Sequence, residues 1–269
     1  MSEQRIAALP MYGIDRDAVD DFWSALIAAL RTEGVDDAPD WLDWPEDLAF
    51  HWRDPRLLLS QTCGYPLIEG LDAHVRVVGA FCFDADGASG GHYSSLVVVR
   101  SDAVASTLET LRGGTVVFNS RDSHSGTNAL RGLLAPLAEG GRFFGQVVAS
   151  GSHRASLDSV REGSADVAAI DCISFALIAR NEPAAVAGLR ILARTPLAPG
   201  LPLVTTKTTS DEDLERIRRA LEHVVTDPTL AELRARLLIA GFERLDRAAY
   251  EPIAAVRDAA VAAGYPELA

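Results

Sequence analysis

Asn119-Ser120-Arg121-Asp122-Ser123-His124-Ser125-Gly126-Thr127-Asn128 is the polar segment around which the rest of the chain is organised. An apolar run, Thr115-Val116-Val117-Phe118, leads into it, and Leu130, Leu133, Leu134 and Leu137 leave it at helical spacing. The pattern predicts strand, polar turn and helix in succession. Ser123 and Ser125 flank the expected N-cap, and Gly126 lets the backbone approach a ligand closely. The first amides of a helix have no partner inside it, and the dipole makes that end positive. Two hydroxyls beside such amides suit an anion. Plain helix capping uses the same residues, so on this segment alone both readings stay open.

Outward from this stretch the same pattern recurs. Phe143 to Ala149 is an expected strand that ends in Ser150-Gly151-Ser152-His153, and Leu157 and Val160 mark the helix after it, closed by Gly163. Val167 to Ile170 is another strand, ended by Asp171 and followed by an Ala/Leu/Ile-rich helix. Upstream, Ile6 to Leu9 runs into Met11-Tyr12-Gly13, and Leu57 to Gln61 runs into Thr62-Cys63-Gly64-Tyr65-Pro66. Val75 to Phe83, Tyr93 to Arg100, Leu189 to Ala193 and Leu203 to Thr206 complete the expected strands. Asp15 and Ser210 are placed to cap helices, and Asp211 to Val225, Thr229 to Ala240 and Tyr250 to Ala263 are read as helical. This alternation predicts an α/β fold with a parallel-rich sheet covered on both faces. Strand ends carry Tyr12, Thr62, Ser123, Ser125, Ser152, His153 and Asp171, and open α/β sheets bind ligands at the carboxyl ends of their strands. Gly87-Ala88-Ser89-Gly90-Gly91 matches G-x-S-x-G in form, but a strand rather than a helix is expected after it, so it does not read as a hydrolase elbow.

The 269 residues suit one large α/β domain or two lobes, and 48% hydrophobic residues can bury a sizeable core. A net charge of −13 argues against nucleic acid or an anionic membrane as partner. Three cysteines with no C-x-x-C spacing point to buried thiols rather than a disulfide framework or zinc site. His92, His124 and His153 lack ligand-pair spacing on one helix, so no metal is expected, and no cofactor is expected either. No apolar run has the length of a membrane span, so no membrane insertion is expected. The opening residues, MSEQRIAALPMYG, do not read as a secretory signal. The expected location is the cytoplasm, or the periplasm if a leader has been removed.

Tyr93-Ser94-Ser95-Leu96-Val97-Val98, Leu111-Arg112-Gly113, Ser123-His124-Ser125-Gly126, Ser150 to Leu157 and Val160 to Asp171 form an ordered set of blocks. In these the chain resembles the phosphate/phosphonate-binding family of ABC-transporter substrate-binding proteins. The resemblance covers about 80 residues well, and the N-terminal third and the C-terminal tail match in style only. It implies a type II periplasmic-binding-protein fold of two lobes, joined by two crossover strands and closing on ligand. Residues 1–95 and 195–269 would form one lobe and 96–194 the other, with Tyr93 to Arg100 and Leu189 to Arg194 as crossovers. It further implies that phosphonate oxygens sit on Ser123, His124 and Ser125, with Tyr93 and His153. Tyr12 or the turn from Thr62 to Tyr65 would be supplied by the opposite lobe. The sequence departs from the family at His124, where the turn has threonine, and at Ile173, where the family carries the carboxylate for an aminoalkyl group. Asp171 stands two residues before that position.

Three functions of different kind fit. One is a non-enzymatic binding protein for a small oxyanion-bearing ligand, with an ABC permease as partner. Another is a cytosolic enzyme on the same fold, resembling chorismate dehydratases or thiamin-pyrimidine synthases, in which His153 and Asp171 do acid–base work. The third is a sensor that uses ligand closure as its signal. A cationic His153 would make affinity fall as pH rises through its pKa.

Overall fold

The β-branched runs form the strands they predict, and in a computed structural model describing residues 4–269 these assemble into two compact units. The first unit comprises residues 4–84, 89–92 and 199–250, and the second residues 85–88, 93–198 and 251–269.

The first unit is built on a five-stranded sheet in the order Ile6–Ala8, Leu57–Gln61, Pro202–Thr206, Val75–Phe83, Ile239–Glu243. Ile6–Ala8 and Leu57–Gln61 are parallel, whereas Pro202–Thr206 runs antiparallel to both of its neighbours. Asp15 caps the helix Arg16–Thr32, accepting from the Ala18 amide at 3.1 Å. The stripe Val19, Phe22, Trp23, Leu26, Ile27 and Leu30 shares one core with Leu214, Ile217, Leu221 and Val224 of the helix Asp211–Thr226. The Trp-rich segment closes around this core, with Trp23 Nε1 donating to the Pro39 carbonyl at 3.1 Å and Trp52 Nε1 to that of Gln61 at 3.2 Å.

The second unit has its own sheet, in the order Leu189–Arg194, Ser95–Arg100, Val167–Asp171, Thr115–Phe118, Gln146–Ala149. Thr115–Phe118 is parallel to both Val167–Asp171 and Gln146–Ala149. The carboxyl ends of these three strands therefore lie at the same edge; Thr115–Phe118 and Gln146–Ala149 open into polar turns before their helices, and Val167–Asp171 runs directly into the helix Cys172–Asn181. Ser95–Arg100 and Leu189–Arg194 pair with each other antiparallel, and the chain enters and leaves this unit beside them, at 92/93 and 198/199.

Three expectations are corrected. Both sheets are mixed rather than parallel-rich: Pro202–Thr206 and Ile239–Glu243 insert antiparallel in the first, and Ser95–Arg100 lies antiparallel to both of its neighbours in the second. The expected helix Thr229 to Ala240 stops at Arg236, and Ile239–Glu243 forms an edge strand antiparallel to Val75–Phe83. Residues 251–269 belong to the second unit, not to the lobe expected for 195–269. The helix Glu251–Ala262 packs on Ala129–Leu134 so closely that a Cβ on Gly132 would stand 2.5 Å from Val256 Cγ1. Ala260, Tyr265 and Leu268 complete the apolar core around Val116, Phe118, Leu130 and Leu134.

Candidate functional site

At the end of Thr115–Phe118 the chain leaves the sheet, and Ser123 takes an extended conformation and caps the next turn through Oγ, which accepts from the Gly126 amide at 3.0 Å. The turn His124–Asn128 is wider than an α-turn: the Asn128 amide reaches five residues back to the Ser123 carbonyl at 3.1 Å. Such single wide turns cost regular hydrogen bonding and occur mostly at functional sites. A Cβ at Gly126 would stand 1.9 Å from Asn119 Oδ1, so a larger residue there needs the Asn119 side chain to move.

Ser123, His124 and Ser125 are all buried. The two hydroxyls lie 3.4 Å apart, and Ser125 Oγ is 3.0 Å from His153 Nε2. His153 opens the helix His153–Arg161, capped by Ser152, whose Oγ accepts from the Ala155 amide at 3.1 Å. Tyr93 meets the His124 ring edge-on, with centroids 6.3 Å apart and planes at 62°. The fold therefore gathers Ser123, His124, Ser125, His153 and Tyr93, drawn from three separate segments of the second unit.

Burial lowers the pKa of both His124 and His153 from an ordinary 6.5 to about 4. His153 keeps some exposed surface, but its Nδ1 is buried and has no hydrogen-bond partner among the described residues. Both rings are thus neutral near pH 7. Burial disfavours a cationic His153, whereas an anion held beside the ring would favour one. Among the described residues no side chain hydrogen-bonds Nδ1 of His153 in the way that orients a general base beside a serine. The cluster offers an anion uncharged donors at the positive end of a helix.

Of the remaining expected residues, Asp171 and Ser152 stand at the same sheet edge as helix caps, and the others lie in the first unit. Asp171 caps the helix Cys172–Asn181, accepting from the Ile173 and Ser174 amides at 2.8 and 3.0 Å. Ser152 acts as a cap in the same way. Tyr12, Thr62 and Tyr65 belong to the first unit. There Tyr12 packs edge-on against Phe83 at 5.0 Å, the Thr62 amide donates to the Pro202 carbonyl at 3.0 Å, and Tyr65 lies in the short helix Gly64–Ile68. Gly87 to Gly91 is followed by the short strand His92–Tyr93, as expected of a turn that is not a hydrolase elbow.

Two residues that sequence reasoning missed stand directly beneath the turn. Asn128 Nδ2 is 3.0 Å from His124 Nδ1, and Arg131 Nη2 donates to Asn128 Oδ1 at 2.6 Å. The available signal was an arginine on the buried stripe of a leucine-rich helix, where a charge needs a partner. Among the described residues no group of three or more His, Cys, Asp or Glu side chains is placed to hold a metal. Among the same residues no helix is long and apolar enough to cross a membrane.

The family described as the periplasmic, phosphonate substrate-binding protein of ABC transporters matches residues 60–250. No curated protein matches by sequence. Among solved structures, the chain is similar to a binding-protein component of an ABC phosphonate transporter from Pseudomonas aeruginosa. The two share 18% identity over 97% of this chain and 88% of that one, with a TM-score of 0.78. PhnD1 from Prochlorococcus marinus, solved with methylphosphonate, aligns at 14% identity over 95% and 97% of the two chains, with a TM-score of 0.75. XAC2383 from Xanthomonas citri, solved with ATP, aligns at 16% identity over 96% and 97%, with a TM-score of 0.69. At these identities the structures establish the fold, the two-lobed type II periplasmic-binding-protein fold, and the match over most of the chain establishes the family. The chain belongs to the phosphonate-binding family of periplasmic substrate-binding proteins of ABC transporters.

Proposed function

We propose that this chain binds a small ligand bearing a phosphonate-type oxyanion on Ser123, His124 and Ser125, with His153 and Tyr93 beside them, and delivers it to an ABC permease. The observation that carries the reading is the 3.0 Å contact between Ser125 Oγ and His153 Nε2 at the capped start of a helix. A His153 Nε2–H that donates to Ser125 Oγ frees the hydroxyl hydrogen for a ligand where the backbone dipole favours negative charge. Each charge-assisted hydrogen bond contributes about 1.5–3 kcal/mol, so three or four are of the order needed for a micromolar complex, roughly −8 kcal/mol.

The ligand is proposed to be an alkylphosphonate or phosphate-like anion rather than an aminoalkylphosphonate. Ile173, buried in the helix after Asp171, offers no carboxylate to an ammonium group, and Asp171 already accepts two backbone amides. The family is periplasmic, which supports the periplasm rather than the cytoplasm as the place where this chain works. The enzyme alternative draws no support from the family.

A thermal-shift series with methylphosphonate, phosphate, phosphite, 2-aminoethylphosphonate, sulfate and small carboxylates tests the reading. A ligand at one hundred times its Kd stabilises the folded state by about 2.7 kcal/mol and raises Tm visibly. Methylphosphonate or phosphate is expected to lead the series. Stabilisation only by carboxylates, or by none of the anions, would overturn the proposal.

A further inference from the structure

A neutral histidine has one donor and one acceptor nitrogen, and which is which at His124 follows from the helix beneath it. Arg131, itself buried, holds Nη2 2.6 Å from one terminal atom of the Asn128 amide. A guanidinium only donates, so that atom is the amide oxygen. The other terminal atom stands 3.1 Å from the carbonyl oxygen of Ile253, which only accepts, so it is the NH2 group. Two independent neighbours thus fix the same orientation of one side chain, which coordinates alone would leave to convention. The same NH2 group faces Nδ1 of His124 at 3.0 Å. Facing a donor, Nδ1 must accept, and the ring proton resides on Nε2.

We infer that Asn128, oriented by Arg131, is a positioning residue that fixes His124 as the neutral Nε2–H tautomer, and so keeps the middle of the turn uncharged and its ring in one orientation. The alternative Nδ1–H tautomer would set N–H against NH2. An imidazolium would meet the same clash at Nδ1. The role of the tautomer in ligand binding rests on the proposed function; the tautomer itself does not.

The test is a long-range proton–nitrogen correlation spectrum of the whole chain with labelled histidine, taken without ligand at neutral pH, with His124 assigned by its loss in His124→Gln. The expected pattern is a pyrrole-type Nε2 and a pyridine-type Nδ1. Asn128→Asp places an acceptor against Nδ1 and should move the proton there, and Kd for methylphosphonate should rise at least tenfold. A wild-type spectrum showing Nδ1–H or imidazolium overturns the inference, whatever the folding of the variant. So does a folded Asn128→Asp protein with an unchanged spectrum. An altered tautomer with unchanged Kd overturns its role in recognition. If the wild type itself fails to bind methylphosphonate or phosphate, the proposed function falls while the spectrum still decides the tautomer.

Discussion

Lowering the pH from 7.5 to 5 should destabilise the second unit through two histidines that the fold holds neutral. His124 and His153 each have their pKa lowered from an ordinary 6.5 to about 4 by burial. Between those values the unfolded chain binds protons that the folded chain does not, so stability falls as pH falls. The loss begins near 6.5, where unfolded histidine titrates, and is complete below about 4. At pH 5 it amounts to about 2 kcal/mol per histidine, or about 4 kcal/mol for the pair, a large share of the stability of a typical domain. All four tryptophans lie in the first unit, so their fluorescence reports that unit and far-UV circular dichroism reports both. The assay is urea unfolding followed by both signals at pH 7.5, 6 and 5, for the wild type and for the double variant His124→Gln with His153→Gln. The double variant should lose clearly less stability on acidification than the wild type. Equal losses in the two proteins would refute the assignment of neutral, desolvated rings.

Other consequences follow from packing and capping. Gly126→Ala should cost about 1–3 kcal/mol, since the added methyl overlaps Asn119 Oδ1, and a urea midpoint within error of wild type would refute that close approach. Asp171→Ala strips the cap from two amides of Cys172–Asn181 and should cost about 1–2 kcal/mol, with Asp171→Asn retaining most of it. Equal loss in both variants would mean that the carboxylate does something other than cap. Gly132→Leu should force Glu251–Ala262 off Ala129–Leu134 and speed hydrogen exchange in the C-terminal helix, and unchanged protection there would contradict its placement in the second unit.

Much of the architecture was legible because strand and turn chemistry agreed locally. Leu57–Gln61, Val75–Phe83 and Thr115–Phe118 occur at their expected bounds, each an apolar run closed by polar or glycine-bearing turns. The strand Ile239–Glu243 was not legible, because the break before it falls at Leu238, a leucine held at φ 60° that no sequence signal marks. The apolar face of Glu251–Ala262 shows that the helix is buried but not which sheet it covers, and that choice reassigned the C-terminus. In the site, Ser123, Ser125 and His153 stood out as polar residues after strands. Asn128 was hidden, because its role depends on helix phase beneath His124 and on a carbonyl at Ile253, 125 residues away. The neutral state of His153 was equally hidden, since desolvation is set by neighbours that only the folded chain brings near.

Titration calorimetry of methylphosphonate into the wild type, Ser125→Ala and His153→Ala decides whether the turn beginning at Ser123 holds a phosphonate-type oxyanion. Saturable binding by the wild type and a ten- to hundredfold weaker Kd in each variant, about 1.4–2.7 kcal/mol, are expected, with circular dichroism unchanged. Wild-type affinity retained in both variants would contradict that binding and leave the turn as a capped helix start.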